Sequence, residues 1–295
     1  MVQQERACYY ESRDKAIRDP ENYLSIIIDG ADQSSYVLPY FYEKTKSLES
    51  KHKLKYKLMG GLAHGHSKSY LMAIPMNGDN GPNLTIETLH QILVDLYATR
   101  GYLSKTLFLK LDNCTSQKKT NYVMVYLSLL VEWRLFEEVI LTFLPVGHTH
   151  EDVDQMFSRL NLALQKVNAV TIGEFLAICK RAFRPEPDCQ VLKFQSNWTE
   201  KLNKDPEFCP FEGITKFQAF RFVRDEEGAA VMAVKRLKND SSWIMKNHRY
   251  FARRRNVRQF FANFPPSRLA PIDVEKEAKI RATIEACAIR ILSDY

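Results

Sequence analysis

Between His148 and Asp154 the chain places two histidines and three carboxylates in seven residues, within Leu-Pro-Val-Gly-His-Thr-His-Glu-Asp-Val-Asp-Gln-Met-Phe-Ser-Arg-Leu. This run lies between an apolar stretch, Val139 to Val146, and an amphipathic one, Val153 to Val167. The pattern predicts a turn from a buried strand into a helix, a place where α/β proteins position chemistry. With a helix starting near Glu151, Asp154 shares a face with Phe157 and Ser158, whereas Asp152 points elsewhere. Two further acids each close an apolar run. Asp29 follows Tyr-Leu-Ser-Ile-Ile-Ile, and Asp112 follows Thr-Leu-Phe-Leu-Lys-Leu. Converging carboxylates repel one another without cations, and hard oxygen ligands suit Mg²⁺ or Mn²⁺. Two such ions, about 3.5 to 4 Å apart, activate a water or 3′-hydroxyl and stabilise the leaving oxygen of a phosphodiester.

Positioning these residues requires a particular order of elements. Met1 to Asn22 reads as a short helical lead-in, and Tyr23 to Asp29 as a central strand. Lys55 to Gly65 and Ser69 to Pro75 predict an antiparallel hairpin, with His64 and His66 as exposed turn residues. A helix opens at Thr85 and stops at Gly101, and Thr106 to Leu111 is a second core strand. Lys118 to Phe136 predicts a long helix whose Tyr122, Val125, Leu129 and Trp133 pack in the core, and Val139 to Val146 a strand. Thr171 and Glu174 form a capping box opening a helix to Ala182.

Three strands, then helix, strand, helix, strand, helix, is the order of a ribonuclease-H-like α/β fold, a mixed sheet flanked by helices. In that fold the first and fourth strands end side by side, and the helix after the fifth aims its first turn at them. Asp29, Asp112 and Asp154 fall at those three places. The expectation is that Asp29 bridges two ions, that Asp112 and Asp154 hold one each, and that His148 or His150 contacts the scissile phosphate or moves a proton at the leaving oxygen. Asp152 competes with Asp154 for the third position, and Asp32 is also spare. The predicted organisation is a lead-in over 1–22, a catalytic core over 23–187, and a remainder over 188–295. That remainder is read as a linker, a small β appendage built from Phe217 to Val223 and Ala229 to Leu237, and a terminal helix, Val274 to Leu292.

The segments Ile-Ile-Ile-Asp29-Gly-Ala-Asp-Gln, Leu-Asp112-Asn-Cys-Thr-Ser-Gln-Lys-Lys-Thr-Asn and Phe-Leu-Pro-Val-Gly-His148-Thr-His150-Glu-Asp-Val-Asp154-Gln-Met-Phe-Ser-Arg resemble the catalytic core of DDE/D-type transposases. More closely, the chain is similar to an uncharacterised, transposase-like eukaryotic domain family, from about Glu5 to Phe183. Asp112-Asn113 is similar to the second acidic box of mariner-like transposases, and Asp154-Gln-Met-Phe-Ser to the third, which favours Asp154 over Asp152. The resemblance implies metal-dependent cleavage or strand transfer on DNA, with RNA as the alternative. Such transposases carry a separate end-recognition domain, which Met1 to Asn22 is too short to supply.

Composition sets the outer limits. With 295 residues, 45% of them apolar, the chain can bury a sizeable core, and its polar, charged N-terminal stretch is unlike a signal peptide. A nuclear or cytoplasmic protein is expected, neither secreted nor membrane-bound, with homo-oligomerisation left open. Its six scattered cysteines form no Cys-x-x-Cys pair, which argues against a disulfide framework. The net charge of +7 suits a polyanionic partner. Nine basic residues crowd one stretch: Lys235, Arg236, Lys238, Lys246, Arg249, Arg253, Arg254, Arg255 and Arg258, interleaved with Trp243, Tyr250 and Phe251. Such a stretch can grip phosphates and stack on bases. Two other functions stay open. One is a non-catalytic nucleic-acid-binding or scaffold protein on the same fold. The other is a zinc hydrolase, because His148-Thr-His150-Glu-Asp152 fits the start of His-x-His-x-Asp-His, although Val153 stands where the last histidine belongs.

Overall fold

A computed structural model describes residues 2–31, 36–42, 54–75, 81–114, 116–143, 152–192, 194–237, 239–246, 248–251 and 267–268. Asp32, His148, His150, Lys238, Arg253, Arg254, Arg255, Arg258 and the predicted helix Val274 to Leu292 lie outside the described residues.

The chain is α/β, with one large mixed sheet flanked by helices on both faces. Its strands are β1 (Tyr23–Gly30), β2 (Val37–Leu38), β3 (Leu54–His64), β4 (Lys68–Pro75), β5 (Thr106–Leu111), β6 (Glu138–Phe143), β7 (Asp188–Val191), β9 (Ala219–Arg224), β10 (Ala230–Lys235) and β11 (Ile244–Lys246). A separate short pair joins β8 (Phe194–Gln195) to β12 (Ser267–Arg268). The sheet order is β11-β10-β9-β6-β5-β1-β3-β4-β7, with β2 on β3. Strand β1 runs parallel to β5, and β5 to β6, while β3 is antiparallel to both β1 and β4.

The helices are α1 (Val2–Arg18), α2 (Pro82–Arg100), α3 (Asn121–Glu132), α4 (Asp152–Leu164), α5 (Ile172–Arg181) and α6 (Trp198–Asn203). Because side chains alternate along a strand, β1 feeds two cores. Leu24, Ile26 and Ile28 join a cluster with α2, α3 and α6, while Ile27 joins Tyr9 of α1, Val153 and Phe157 of α4, and Phe175 of α5. Burial of Ile26, Ile27 and Ile28 is complete, which explains an unbroken β-branched run.

Local chemistry sets the helix ends. Pro82 opens α2 three residues before Thr85, since a first-turn residue needs no N–H partner. Gly101 closes it in the left-handed region at φ 78°, donating to the Tyr97 carbonyl. The capping box at Thr171 and Glu174 is formed as expected. The helix predicted from Lys118 begins instead at Asn121, because the extended Thr120 caps it by accepting from the Val123 amide. Lys118 and Lys119 therefore lie in the preceding turn.

Two expectations about the C-terminal part are corrected. The hairpin β9–β10 is no appendage. It continues the main sheet through antiparallel pairing of β9 with β6, and Phe220 packs edge-on to Phe143 at 6.1 Å. The segment read as a linker from Asp188 supplies β7, parallel to β4, and then α6, whose Trp198 is buried edge-on to Tyr126. Both segments complete layers that would otherwise leave apolar edges in water, so 188 is not a structural boundary.

Candidate active site

Asp29 and Asp112 leave the carboxyl ends of adjacent parallel strands. The register pairs Ile28 with Leu111, so the two acids follow as the next pair. Chain direction also reverses here, since β3 and β4 extend the sheet on one side of β1 and β5 and β6 on the other. Open α/β sheets bind ligands at such a reversal.

Lys118 ties the pair together. Its Nζ lies 2.5 Å from Asp29 Oδ1 and 3.2 Å from Asp112 Oδ2, and its side chain is only 4% exposed. The turn explains how it arrives there, because the amides of Gln117, Lys118 and Lys119 all donate to the Cys114 carbonyl and fold the chain back over the strand ends. Asp29 is oriented further by the Gly30 amide at 2.7 Å, and Asp112 by the Cys114 amide. Buried charge is tolerated only when paired, and here one ammonium serves two carboxylates. Lys119, also buried, donates to Asn113 Oδ1 and the Thr215 carbonyl, both at 3.2 Å.

The first turn of α4 closes on the sheet next to Asp29. Gly60 faces Asp29 across β1 and β3, and a Cβ there would stand 2.8 Å from the Phe157 ring and 3.1 Å from Val153. Only glycine lets the helix settle this close. Residues two apart on a helix point to opposite flanks, and the two candidate acids do so. The half-buried Asp154 is on the flank of Phe157 and Asn161, the latter accepting from the Tyr36 hydroxyl at 2.9 Å. Asp152 is on the other flank and enters a separate network. Among the described residues, no three His, Cys, Asp or Glu side chains form a group that could hold a metal ion.

Asp152 Oδ2 accepts from the Tyr9 hydroxyl at 3.0 Å and from Arg13 Nη1 at 3.3 Å. Tyr9 has one hydroxyl proton, so its oxygen accepts from His64 Nε2 at 2.9 Å. His64, expected to be exposed in the turn, is thus a largely buried residue at the end of β3. The correction has a local cause: Gly65 turns at φ +86° directly beneath Ala16 of α1, bringing the helix onto the hairpin end.

Burial pushes the His64 imidazole down to about 4, with Asp152 and Asp14 opposing and Arg13 reinforcing the shift. The unfolded chain therefore takes up a proton first as pH falls. The stability this site contributes is complete above about 6.5 and is lost as pH drops towards 4, on the order of 3 kcal/mol. Urea unfolding at pH 7 and pH 4.5 should show a smaller loss for His64→Gln than for the parent chain. Some acid sensitivity will persist, since burial also lowers His90 and His248.

Of the basic residues singled out in the sequence, Lys235 ends β10 half-buried and Arg236 is exposed beside it. Arg249 is bound to Asp225 at 2.5 Å and Glu227 at 2.9 Å. No described helix is long and apolar enough to cross a membrane.

The family described as Domain of unknown function (DUF7869) matches residues 46–240. The chain belongs to this family. The DUF7869 segment holds Asp112, Lys118, Asp152 and Asp154, and β1 with Asp29 precedes it. A search of curated proteins finds no match. Sequence reasoning missed Lys118 as a site residue, although it stands inside the Leu-Asp-Asn-Cys-Thr-Ser-Gln-Lys-Lys segment, six residues after Asp112.

Proposed function

We propose that this DUF7869 chain is a transposase-derived protein whose ribonuclease-H-like core cuts or joins phosphodiester bonds in DNA with two divalent cations. The observation that carries this reading is the convergence of Asp29 and Asp112 on one buried cationic group at the reversal point of the sheet. The order β4-β3-β1-β5-β6, with its directions, is consistent with a ribonuclease-H-like core.

The donors fit Mg²⁺ or Mn²⁺, being carboxylate oxygens with no thiolate among them. Asp29 and Asp112 would hold the ions, joined by Asp154 from the first turn of α4. Cations so held supply an activated water or 3′-hydroxyl and offset charge on the leaving oxygen. The chain's own residues prepare that arrangement. Lys118 keeps the two carboxylates from repelling each other, the Gly30 amide fixes Asp29, and Gly60 lets α4 approach. His148 or His150 would contact the scissile phosphate or move a proton at the leaving oxygen.

A second reading has a specific observation in its favour. The Lys118 ammonium occupies the space between the carboxylates, as a permanent tie would in a non-catalytic nucleic-acid-binding or scaffold protein. Titration of the full chain with Mn²⁺, followed by the metal's paramagnetic resonance, separates the two. Saturable uptake that disappears in Asp29→Asn supports the catalytic core. Absence of saturable uptake, with DNA binding indifferent to EDTA, supports the scaffold.

A further inference from the structure

One row of residues crosses four strands beside the carboxylate pair. Lys110 of β5 is in register with Thr142 of β6, Thr142 with Ala219 of β9, and Ala219 with Lys235 of β10. Lys110 stands two residues before Asp112, which directly follows the last residue of β5, so the alternation of the strand sets both toward the same face, about 7 Å apart. The opposite face of these strands is filled by Phe143, Phe220 and Val234, all completely buried. On the row's own face Phe108, Ile140 and Trp243 are only half-buried, and Met245 is 53% exposed.

Where α1 leans over this face, a crevice of about 270 Å³ opens between helix and sheet. Aromatic rings and cations line it together. Lys110 Nζ lies 3.9 Å from the centre of the Tyr9 ring, and Lys235 Nζ lies 4.8 Å from that of Trp243. Lys235 pairs with no carboxylate among the described residues, and Lys15 at the rim offsets Glu11 at 2.9 Å. Three lysines, Lys15, Lys110 and Lys235, and one acid, Glu11, are among its lining residues, which makes that lining basic in formal charge and rich in π-faces.

We propose that this crevice holds one unpaired nucleotide of the substrate strand next to the carboxylate pair, with its base against Trp243 and Phe108 and its phosphate at Lys235. The inference deepens the phosphodiester reading above and rests on it for the identity of the polymer. A duplex offers phosphates and groove edges but no base faces, so aromatic walls beside lysines select a single strand. Stacking tolerates any base, and the lysines make binding depend on salt.

The test is equilibrium binding of fluorescently labelled oligo-dT, its RNA counterpart and a DNA duplex of equal length to the full chain. EDTA is present throughout, so that binding is read without turnover. Single strands should bind more tightly than duplex and should quench Trp243 emission. Trp243→Ala should weaken single-strand binding roughly tenfold while Trp243→Phe largely restores it, and Lys235→Ala should lower the salt slope by about one. Tighter binding of DNA or of RNA names the polymer and leaves the crevice assignment intact. Binding is read in EDTA and cleavage only with metal, so a failed cleavage assay and a failed crevice are distinguishable. Equal affinity of the parent chain and Trp243→Ala, or duplex bound as tightly as single strand, would overturn the assignment.

Discussion

Replacing Lys118 with alanine is expected to lower stability by about 3 kcal/mol when unfolding is measured in EDTA. Removing one partner of a buried charge pair typically costs about 3 to 5 kcal/mol, because the other charge is left uncompensated. The low end applies here, since Asp112 is 39% exposed and water can screen it, whereas Asp29 is only 18% exposed. The same substitution clears the space between the carboxylates. Millimolar Mn²⁺ should therefore stabilise Lys118→Ala more than the parent chain, as any ligand that binds only the folded state must. A variant as stable as the parent in EDTA would show that the ammonium is not what holds Asp29 and Asp112 together.

Exchanging each of the two neighbouring acids on α4 should separate chemistry from support. Asp154→Asn is expected to reduce metal-dependent cleavage more than about a hundredfold, beyond the usual penalty of roughly 10- to 100-fold for losing an outer-shell partner. Its effect on stability should be small, because the residue is half-buried in a helix first turn whose packing rests on Val153 and Phe157. Asp152→Asn should do the reverse. It weakens hydrogen bonds from the Tyr9 hydroxyl and the Arg13 guanidinium, about 2 kcal/mol for bonds to a charged acceptor, while cleavage stays at the parental order. Thermal unfolding and cleavage rates measured on both variants decide the matter. The opposite pattern would make Asp152 the third carboxylate and leave Asp154 a surface residue.

Much of this arrangement can be read in the chain, and the exceptions have physical causes. Asp29 and Asp112 are legible because an apolar run ending in a carboxylate marks the end of a buried strand. The flank of Asp154 follows from helix geometry alone. Lys118 is different. A lysine ahead of a helix looks like any other until the β1–β5 register and the fold-back onto Cys114 bring it over both acids. His64 reads as a turn residue because Gly65 follows it, and only the docking of α1 buries it against Tyr9. Alternation in β9 and β10 specifies a hairpin but not the edge it joins, which is decided by Phe220 and Phe222 finding the α3 side of the sheet. The basic stretch from Lys235 divides similarly: charge is visible in sequence, whereas the binding of Arg249 to Asp225 and Glu227 is not.

Nicking of supercoiled plasmid and labelled single-stranded DNA by the purified chain, with Mn²⁺, Mg²⁺ or EDTA, tests the central claim most directly when Asp29→Asn and Asp112→Asn are run beside it. A phosphodiester centre at these carboxylates predicts cleavage that needs the metal and is lost in both variants while their folded stability persists. Cleavage undiminished in both variants, or none from the parent chain under any metal condition, would contradict it.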